Sequence, residues 1–317
     1  MTRPTAEDIE RLFVGPGARY TRAEVAAHSG VSPELAERLW RALGFATLAD
    51  DAVAFTDADV AAMRQVSTML GTGLIDDDTA IRMARALGQT TARLAQWQAE
   101  IMIGAMLPPD GSPTDEQIGK VLEVSERLLP GFEQVLVHVW RSQLAAAGTR
   151  LLTIADINEE VAPTRATMAV GFADLVSFTR RARELDEREL ADLVEGFESR
   201  AADVVAAHGA RLVKTLGDEV LFTAPTPEQA AAIALELVGE EMRVGMAYGP
   251  VLPMMGDVFG TTVNLAARLT ALARPGTIVV DAALAEALDA FEVVRIRRRP
   301  VRGLGMVQPY VLRRSSS

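Results

Sequence analysis

Residues 212–222 read LVKTLGDEVLF, two short apolar runs of strand type joined by a turn that contains glycine. This pattern predicts a β-hairpin. A plain hairpin favours neutral residues at these positions, whereas this one contains Lys214, Asp218 and Glu219. The chain otherwise uses arginine as its basic residue and has lysine only at positions 120 and 214. The charges inside the hairpin therefore need a reason beyond the hairpin itself.

Strands and helices alternate on both sides of the hairpin. A strand over 167–173 and a helix at about 186–207 precede it. The segments predicted after it are a helix at about 226–238, strands over 242–249 and 276–280 around a helix at 261–272, a short helix near 282–288, and strands near 291–298 and 308–313. The order β-α-β-β-α-β, with additions, predicts a ferredoxin-like α+β domain over residues 164–317.

The first 145 residues follow a different pattern, with one helix after another. Helix-start signals occur in SPEL, TDAD and TDEQ, and no alternating strand pattern appears. We expect an all-α domain over residues 1–145, with six or seven helices, and a linker over residues 146–163.

The composition narrows the possible functions. The chain has 317 residues, a net charge of −11, three histidines and no cysteine. An acidic chain lacks the positive field of a nucleic-acid-binding protein, so we expect no nucleic-acid partner. No apolar stretch is long enough to span a bilayer and the N-terminus lacks signal-peptide order, so we expect a cytoplasmic protein with no membrane partner. Without thiolates, any metal must be a hard cation bound by oxygen.

Two aspartates occur where such a cation could bind. Asp174 ends the first strand of the α+β domain and Asp218 follows the hairpin turn. In a β-α-β-β arrangement these two points can lie side by side, and two adjacent carboxylates repel unless a cation lies between them. Each aspartate alone reads better as a cap or turn residue. Together, in this topology, they indicate a site for Mg²⁺ or Mn²⁺.

A second polar set follows in GDVFGTTVNLAARL, residues 256–269. Asp257 precedes the predicted helix, and Asn264 and Arg268 lie four residues apart on one of its faces. A solvated helix face with a packed arginine stem is the alternative interpretation. An amide and a guanidinium presented together suit a ribose hydroxyl and a phosphate.

The motifs GFADLVSFT, LVKTLGDEVLF and GDVFGTTVNLAAR, in this order and spacing, resemble the catalytic domain of the class III adenylyl cyclases over about residues 163–313. The resemblance implies that Asp174 and Asp218 bind two divalent metals and that Lys214 and Asp257 read the purine. It further implies that Asn264 orients the ribose and that Arg268 stabilises charge on the α-phosphate.

The two base-reading residues favour adenine. Adenine presents an acceptor at N1 and a donor at its 6-amino group, which match the Lys214 donor and the Asp257 acceptor. Guanine inverts both positions and would leave them unpaired. The expected substrate is therefore ATP. Two-metal catalysis, with the 3′-hydroxyl attacking the α-phosphate in line, would yield cyclic AMP and pyrophosphate.

Phosphate contacts are predicted from two further places. The backbone amides of Leu175, Val176, Ser177 and Phe178 follow Asp174, where a helix N-terminus could cradle phosphate oxygens. Many members of the family have a longer arm before GDVFG that carries a basic residue for the triphosphate, whereas only residues 252–255 intervene here. Arg302, in VRGLG, is a substitute candidate, although its neighbourhood equally fits a solvated charge run.

The resemblance also implies a homodimer with two shared sites, the metals bound by one chain and Lys214, Asp257, Asn264 and Arg268 supplied by the other. The helical half resembles the regulatory domains of soluble actinobacterial cyclases, some of which inhibit the catalytic domain and relieve it at acid pH. A regulatory ligand or a proton is therefore a candidate signal, with His138 as one titratable group.

The competing function is a non-catalytic nucleotide sensor with a helix-turn-helix output. Residues 21–45 have helix-turn-helix order, but Glu34 and Glu37 offset the basic side chains of the second helix. A complete set of metal, base and phosphate residues favours the enzyme.

Overall fold

The computed structural model describes residues 4–46, 49, 51–107, 113–157, 166–176 and 178–314. The chain divides into two compact units, Met1–Gln143 and Leu144–Ser317. The predicted end of the helical domain at 145 and of the linker at 163 stay predictions. The last helix of the first unit continues past the division between the two units to Ile157.

The described part of the first unit is helical. Its helices are α1 (Ala6–Val14), α2 (Arg22–Ser29), α3 (Pro33–Leu43), α4 (Asp57–Gly71), α5 (Asp77–Met106) and α6 (Asp115–Ile157). Thr5, Thr21 and Thr56 each form a capping box at a helix start. The core lies among α2, α3, α4 and α5, where Val25, Leu39 and Met63 are buried.

The helix-turn-helix segment is α2, a left-handed Gly30 and α3. Its basic side chains contact carboxylates, since Arg38 is 2.8 Å from Asp78 and Arg41 is 3.3 Å from Glu37. These contacts reduce the positive potential that a DNA-reading helix needs.

The second unit contains one large mixed sheet. Its strands are β1 (Ala166–Leu175), β2 (Arg211–Thr215), β3 (Glu219–Ala224), β4 (Met242–Met254), β5 (Asp257–Phe259), β6 (Thr277–Val280), β7 (Glu292–Arg295) and β10 (Tyr310–Arg313), with β8 (Arg299–Val301) and β9 (Gly305–Val307) in a separate hairpin. Its helices are α7 (Phe178–Glu184), α8 (Glu187–Ala207), α9 (Pro227–Leu237), α10 (Thr261–Leu272) and α11 (Ala282–Ala287).

The sheet order is β2-β3-β1-β4-β6-β10-β7, with β5 paired to β4. Its first four strands, β2-β3-β1-β4, have the antiparallel order of a ferredoxin-like fold, so the predicted fold class is confirmed. The sequence interpretation missed the β8–β9 hairpin and extended the strand near 291–298 beyond Arg295, where β7 ends.

Strand β1 shows how the sheet separates two cores. Val170 and Phe172 face one cluster, which includes Ala266 of α10, whereas Ala169 and Ala173 face the other, formed with α8, α9 and α11. Because both faces are covered, β1 is buried along most of its length. No described helix is both long and apolar enough to cross a membrane.

Candidate functional site

The end of β1 lies against the β2–β3 turn. The backbone N–H of Leu175 donates to the carbonyl oxygen of Asp218 at 2.9 Å, which places Asp174 and Asp218 next to each other. Gly217 in this turn has a φ of 74°, a conformation that favours glycine and lets the chain reverse before Asp218. The expected juxtaposition of the two carboxylates is therefore present.

An arginine that the sequence interpretation missed pairs with the buried carboxylate. Arg243 on β4 lies directly opposite Asp174 on β1, and its Nε donates to Asp174 Oδ2 at 2.5 Å. Asp174 is only 8% exposed, so a charged partner reduces the cost of burying its carboxylate. Sequence could reveal this pair only through the β1–β4 register, because 69 residues separate the partners.

Three carboxyl groups converge at this point, and their pKa values respond. Burial raises the pKa of Asp174, with a further rise from the charge of Asp218, while Arg243 acts in the opposite direction. Glu219, which lies opposite Asp174 across β1 and β3, has its pKa raised to about 7 by burial and by the charges of Asp174 and Asp218. Carboxylates so close together repel one another, and a bound cation would relieve this repulsion.

The donor set fits a hard divalent cation. Among the residues that the structure describes, no group of three or more histidine, aspartate or glutamate side chains is arranged as a metal site. Two carboxylates, Asp174 and Asp218, nevertheless suit Mg²⁺, which is usually bound through one or two carboxylates while water and substrate phosphate complete its shell.

The β2–β3 hairpin carries a second charged pair. Nζ of Lys214 donates to Oδ2 of Asp257 on β5 at 2.5 Å. Burial raises the pKa of Asp257, but the hydrogen bonds from Lys214 and from the Val258 N–H, with the charges of Lys214 and Arg211, lower it below its ordinary value overall. Asp257, the first residue of β5, is thus an ionised acceptor beside the Lys214 donor of β2.

Helix α10 presents the remaining predicted residues. Gly260 starts the helix, and Thr262 anchors its first turn by donating to the Pro250 carbonyl oxygen at 2.8 Å. Asn264 and Arg268 are exposed, one turn apart. Neither makes a side-chain hydrogen bond or ion pair within the described residues, so both are available to a ligand.

The predicted residues make polar contacts in distinct groups. Asp174 and Asp218 form one, and Lys214 with Asp257 forms another. No ion pair or side-chain hydrogen bond joins these groups to each other, or to Asn264, in the described part of the chain.

Two of the four amides expected to cradle phosphate are already hydrogen-bonded within the protein. The N–H of Leu175 is bonded to Asp218, and that of Val176 donates to the carbonyl oxygen of Glu241 at 2.8 Å. Both N–H groups therefore already donate to backbone carbonyl oxygens of the protein, where they continue the hydrogen bonding of β1 with its neighbours. Ser177 lies outside the described residues, and Phe178 begins α7.

Arg302 lies in the turn between β8 and β9 and is exposed. In the described structure it contacts neither Asp174 and Asp218 nor Lys214 and Asp257.

Two family models match the chain. One is described as the adenylate cyclase regulatory domain and matches residues 5–147. The other is described as the adenylate and guanylate cyclase catalytic domain and matches residues 232–314. The second match includes Asp257, Asn264 and Arg268 but does not extend to Asp174 or Asp218.

Relatives match the chain over nearly its whole length. An adenylate cyclase of Streptomyces coelicolor is 44% identical over 98% of this chain and 90% of its own length. An adenylate cyclase of Streptomyces griseus is 42% identical over 98% of this chain and 89% of its own. A more distant relative, the pH-sensitive adenylate cyclase MT1302 of Mycobacterium tuberculosis, is 29% identical over 100% of this chain and 84% of its own length.

Proposed function

This chain belongs to the adenylate cyclase family, and on that premise we propose that it converts ATP to 3′,5′-cyclic AMP and pyrophosphate as a homodimer. The observation that carries the choice of base is the contact between Lys214 and Asp257. It presents a donor and an acceptor side by side, as adenine N1 and the 6-amino group require. Guanine would meet a donor with its N1–H and an acceptor with its O6.

The two base-reading side chains are accessible enough to bind a nucleotide. Lys214 is 36% exposed and Asp257 is 25% exposed, so their contact can open without exposing a buried core. On binding, Lys214 donates to N1 and Asp257 accepts from the 6-amino group. Each keeps a partner of opposite polarity throughout, which avoids the cost of an unpaired buried group.

Class III cyclases use divalent cations, and here Mg²⁺ or Mn²⁺, two per site, would be held by Asp174 and Asp218. When bound, the cations activate the ribose 3′-hydroxyl and neutralise the triphosphate. Arg243 holds the Asp174 carboxylate in place from the neighbouring strand. Asn264 orients the ribose, and Arg268 stabilises the charge that develops on the α-phosphate.

The proposed sharing of each site between two chains is supported by the distinct polar groups described above. Asp174 and Asp218 cluster at the end of β1, whereas Lys214 pairs with the β5 residue Asp257, and no polar contact joins the two groups in the described structure. A second copy, with its own complete set, can bring one group from each chain to a single ATP.

Exposed apolar surface supports assembly with a second copy. On α6, large apolar side chains that are 39–57% exposed recur every three or four residues: Leu128, Phe132, Val135 and Val139. Others cluster around the β4–β5 hairpin: Leu252, Met254, Met255 and Phe259. The α6 spacing is that of a helix seam that packs against another helix. Apolar surface of this extent favours burial in an interface.

The helical half is proposed as a regulator. The match of residues 5–147 to a regulatory-domain model and the pH-sensitive relative support this role, with a proton or a bound ligand as the signal. His138 lies exposed on α6.

The activity is tested directly by incubating the purified full chain with ATP and Mg²⁺ or Mn²⁺ and identifying the product. Asp218→Ala should abolish cyclic AMP formation while thermal unfolding stays unchanged, because the side chain is only half-buried. The matched control is Asp192→Ala, an exposed aspartate on α8. Absence of cyclic AMP with both metals would refute the enzyme assignment.

Shared sites are tested by mixing two inactive chains. Asp218→Ala lacks a metal-binding carboxylate, and Arg268→Ala lacks the guanidinium that contacts the α-phosphate. A mixed dimer of the two variants therefore regains one intact site. Statistical pairing predicts about a quarter of wild-type activity in an equal mixture. An equal mixture that remains inactive, although the chains exchange, argues for sites built within one chain.

A further inference from the structure

The turn between β4 and β5 has an unusual residue. Met255 and Gly256 both have positive φ, 54° and 79°, which is the backbone pattern of a two-residue type I′ turn. Such turns favour Asn-Gly because a residue with an ordinary Cβ is disfavoured in the left-handed region. Met255 is the one non-glycine residue in that region among those the structure describes. Contacts outside the turn must therefore hold it.

Arg211 supplies such a contact. Nη2 of Arg211, on β2, donates a hydrogen bond to the carbonyl oxygen of Gly256. The next residue, Asp257, is the predicted acceptor for the adenine 6-amino group. The turn that places this acceptor is thus tied to the strand that carries Lys214.

A β-bulge brings the two basic residues of β2 to one face. Arg211 and Lys214 are three apart and would point to opposite faces of a regular strand. The register shift between Leu212 and Lys214 changes this, because Arg211 pairs with Thr223 while Lys214 pairs with Leu221. Those two partners are two residues apart on β3, so Arg211 and Lys214 share a face.

Arg211 also adds positive charge near the acceptor. Its charge is one of the causes that keep the pKa of Asp257 below its ordinary value, after the larger effects of burial, Lys214 and the Val258 N–H. An ionised Asp257 can only accept hydrogen bonds, which is the property that distinguishes adenine from guanine at this position.

We propose that Arg211 is a positioning residue for base recognition, which locks the Met255–Gly256 turn so that Asp257 faces the adenine 6-amino group beside Lys214. This inference rests on the proposed function. Arg211 lies outside the family motifs, and its role in choosing ATP over GTP would act through the Gly256 carbonyl oxygen.

The test compares KM and kcat for ATP and GTP in the full-length chain. Arg211→Gln should raise KM for ATP about tenfold, the loss expected for one charged hydrogen bond, and leave kcat within about threefold. The preference for ATP over GTP should fall by a similar factor. Arg211→Lys, which keeps the charge and a donor, should restore most of the loss. The matched control is Arg200→Gln, since Arg200 donates to the backbone carbonyl of Glu236 on α9.

A second substitution separates positioning from general destabilisation. Met255→Asn suits the left-handed conformation and should recover part of the ATP preference in the Arg211→Gln background. If Arg211→Gln folds poorly, the double variant and Arg211→Lys carry the test. Unchanged KM and selectivity in Arg211→Gln, or equal losses in Arg200→Gln, would overturn the inference.

Lys214→Met tests base reading itself. If Lys214→Met leaves the ATP preference intact, the proposed base reading is wrong. If Lys214→Met abolishes the preference and Arg211→Gln does not alter it, only the role of Arg211 is wrong.

Discussion

Replacing Gly245 with alanine should damage both stability and catalysis through one steric contact. Gly245 lies on β4, and a Cβ at this position would be 2.0 Å from the backbone N of Thr270 on α10 and 2.6 Å from the backbone C of Leu269. The backbone at Gly245 is not in the left-handed region, so alanine fits the strand conformation. The expected loss therefore comes from packing alone.

The size of the effect follows from the distances. Ordinary contacts begin at 3.4 Å, so α10 must move away from the sheet by about 1.4 Å. Overpacking of a core usually costs about 1–3 kcal/mol, and a contact with backbone atoms belongs near the upper end because no side chain can rotate away. Since Asn264 and Arg268 move with α10, kcat/KM should fall on the order of 100-fold.

Cyclic AMP formation and thermal unfolding, measured on the same preparations, check this prediction. The Tm should fall by roughly 6–12 °C for a loss of about 3 kcal/mol. Gly196→Ala on α8 is the matched control, because a Cβ there meets nothing within 4 Å, and it should leave kcat/KM unchanged. Thr270→Ala should not rescue Gly245→Ala, since the closest atom is backbone. An activity within twofold of wild type and an unchanged Tm would refute the packing argument.

Three further predictions concern the site, the core and the regulator. Lys214→Met should lower kcat/KM for ATP roughly 10- to 150-fold through loss of a charged hydrogen bond, while Lys120→Met should have no effect on the kinetics for ATP and GTP. Burial raises the pKa of Asp281 in the folded protein above its value in the unfolded chain. The stabilisation linked to this shift is complete below the unfolded-state pKa and is lost as the pH rises through the folded-state pKa. The free energy of unfolding of Asp281→Asn, measured with urea, should lack this pH dependence. Removing residues 1–145 should change turnover by a large factor at some pH between about 5.5 and 8, and equal rates across that range would contradict the regulatory role.

Much of the fold was predictable because its signals are local. The apolar run of β1 and the capping signals before α3 and α4 depend on neighbouring residues, and the structure has a strand and helices at these places. The β8–β9 hairpin was missed because its three-residue strands lie in an arginine-rich stretch that reads equally well as a solvated charge run.

The sequence by itself determined the chemical groups of the site: carboxylates at Asp174 and Asp218, and a donor and an acceptor at Lys214 and Asp257. Their roles stay predictions. These groups could be found because they lie at the ends of locally predicted elements.

Only the tertiary structure decided which distant residues act on them. Arg243 contacts Asp174 because of the β1–β4 register, and Arg211 reaches the β4–β5 turn because a bulge turns it to the face of Lys214. The amides of Leu175 and Val176 were expected to bind phosphate but donate to the backbone carbonyl oxygens of Asp218 and Glu241, in the turns before β3 and β4. Strand register and hydrogen bonding across a sheet depend on partners far away in the chain, so no local pattern encodes them.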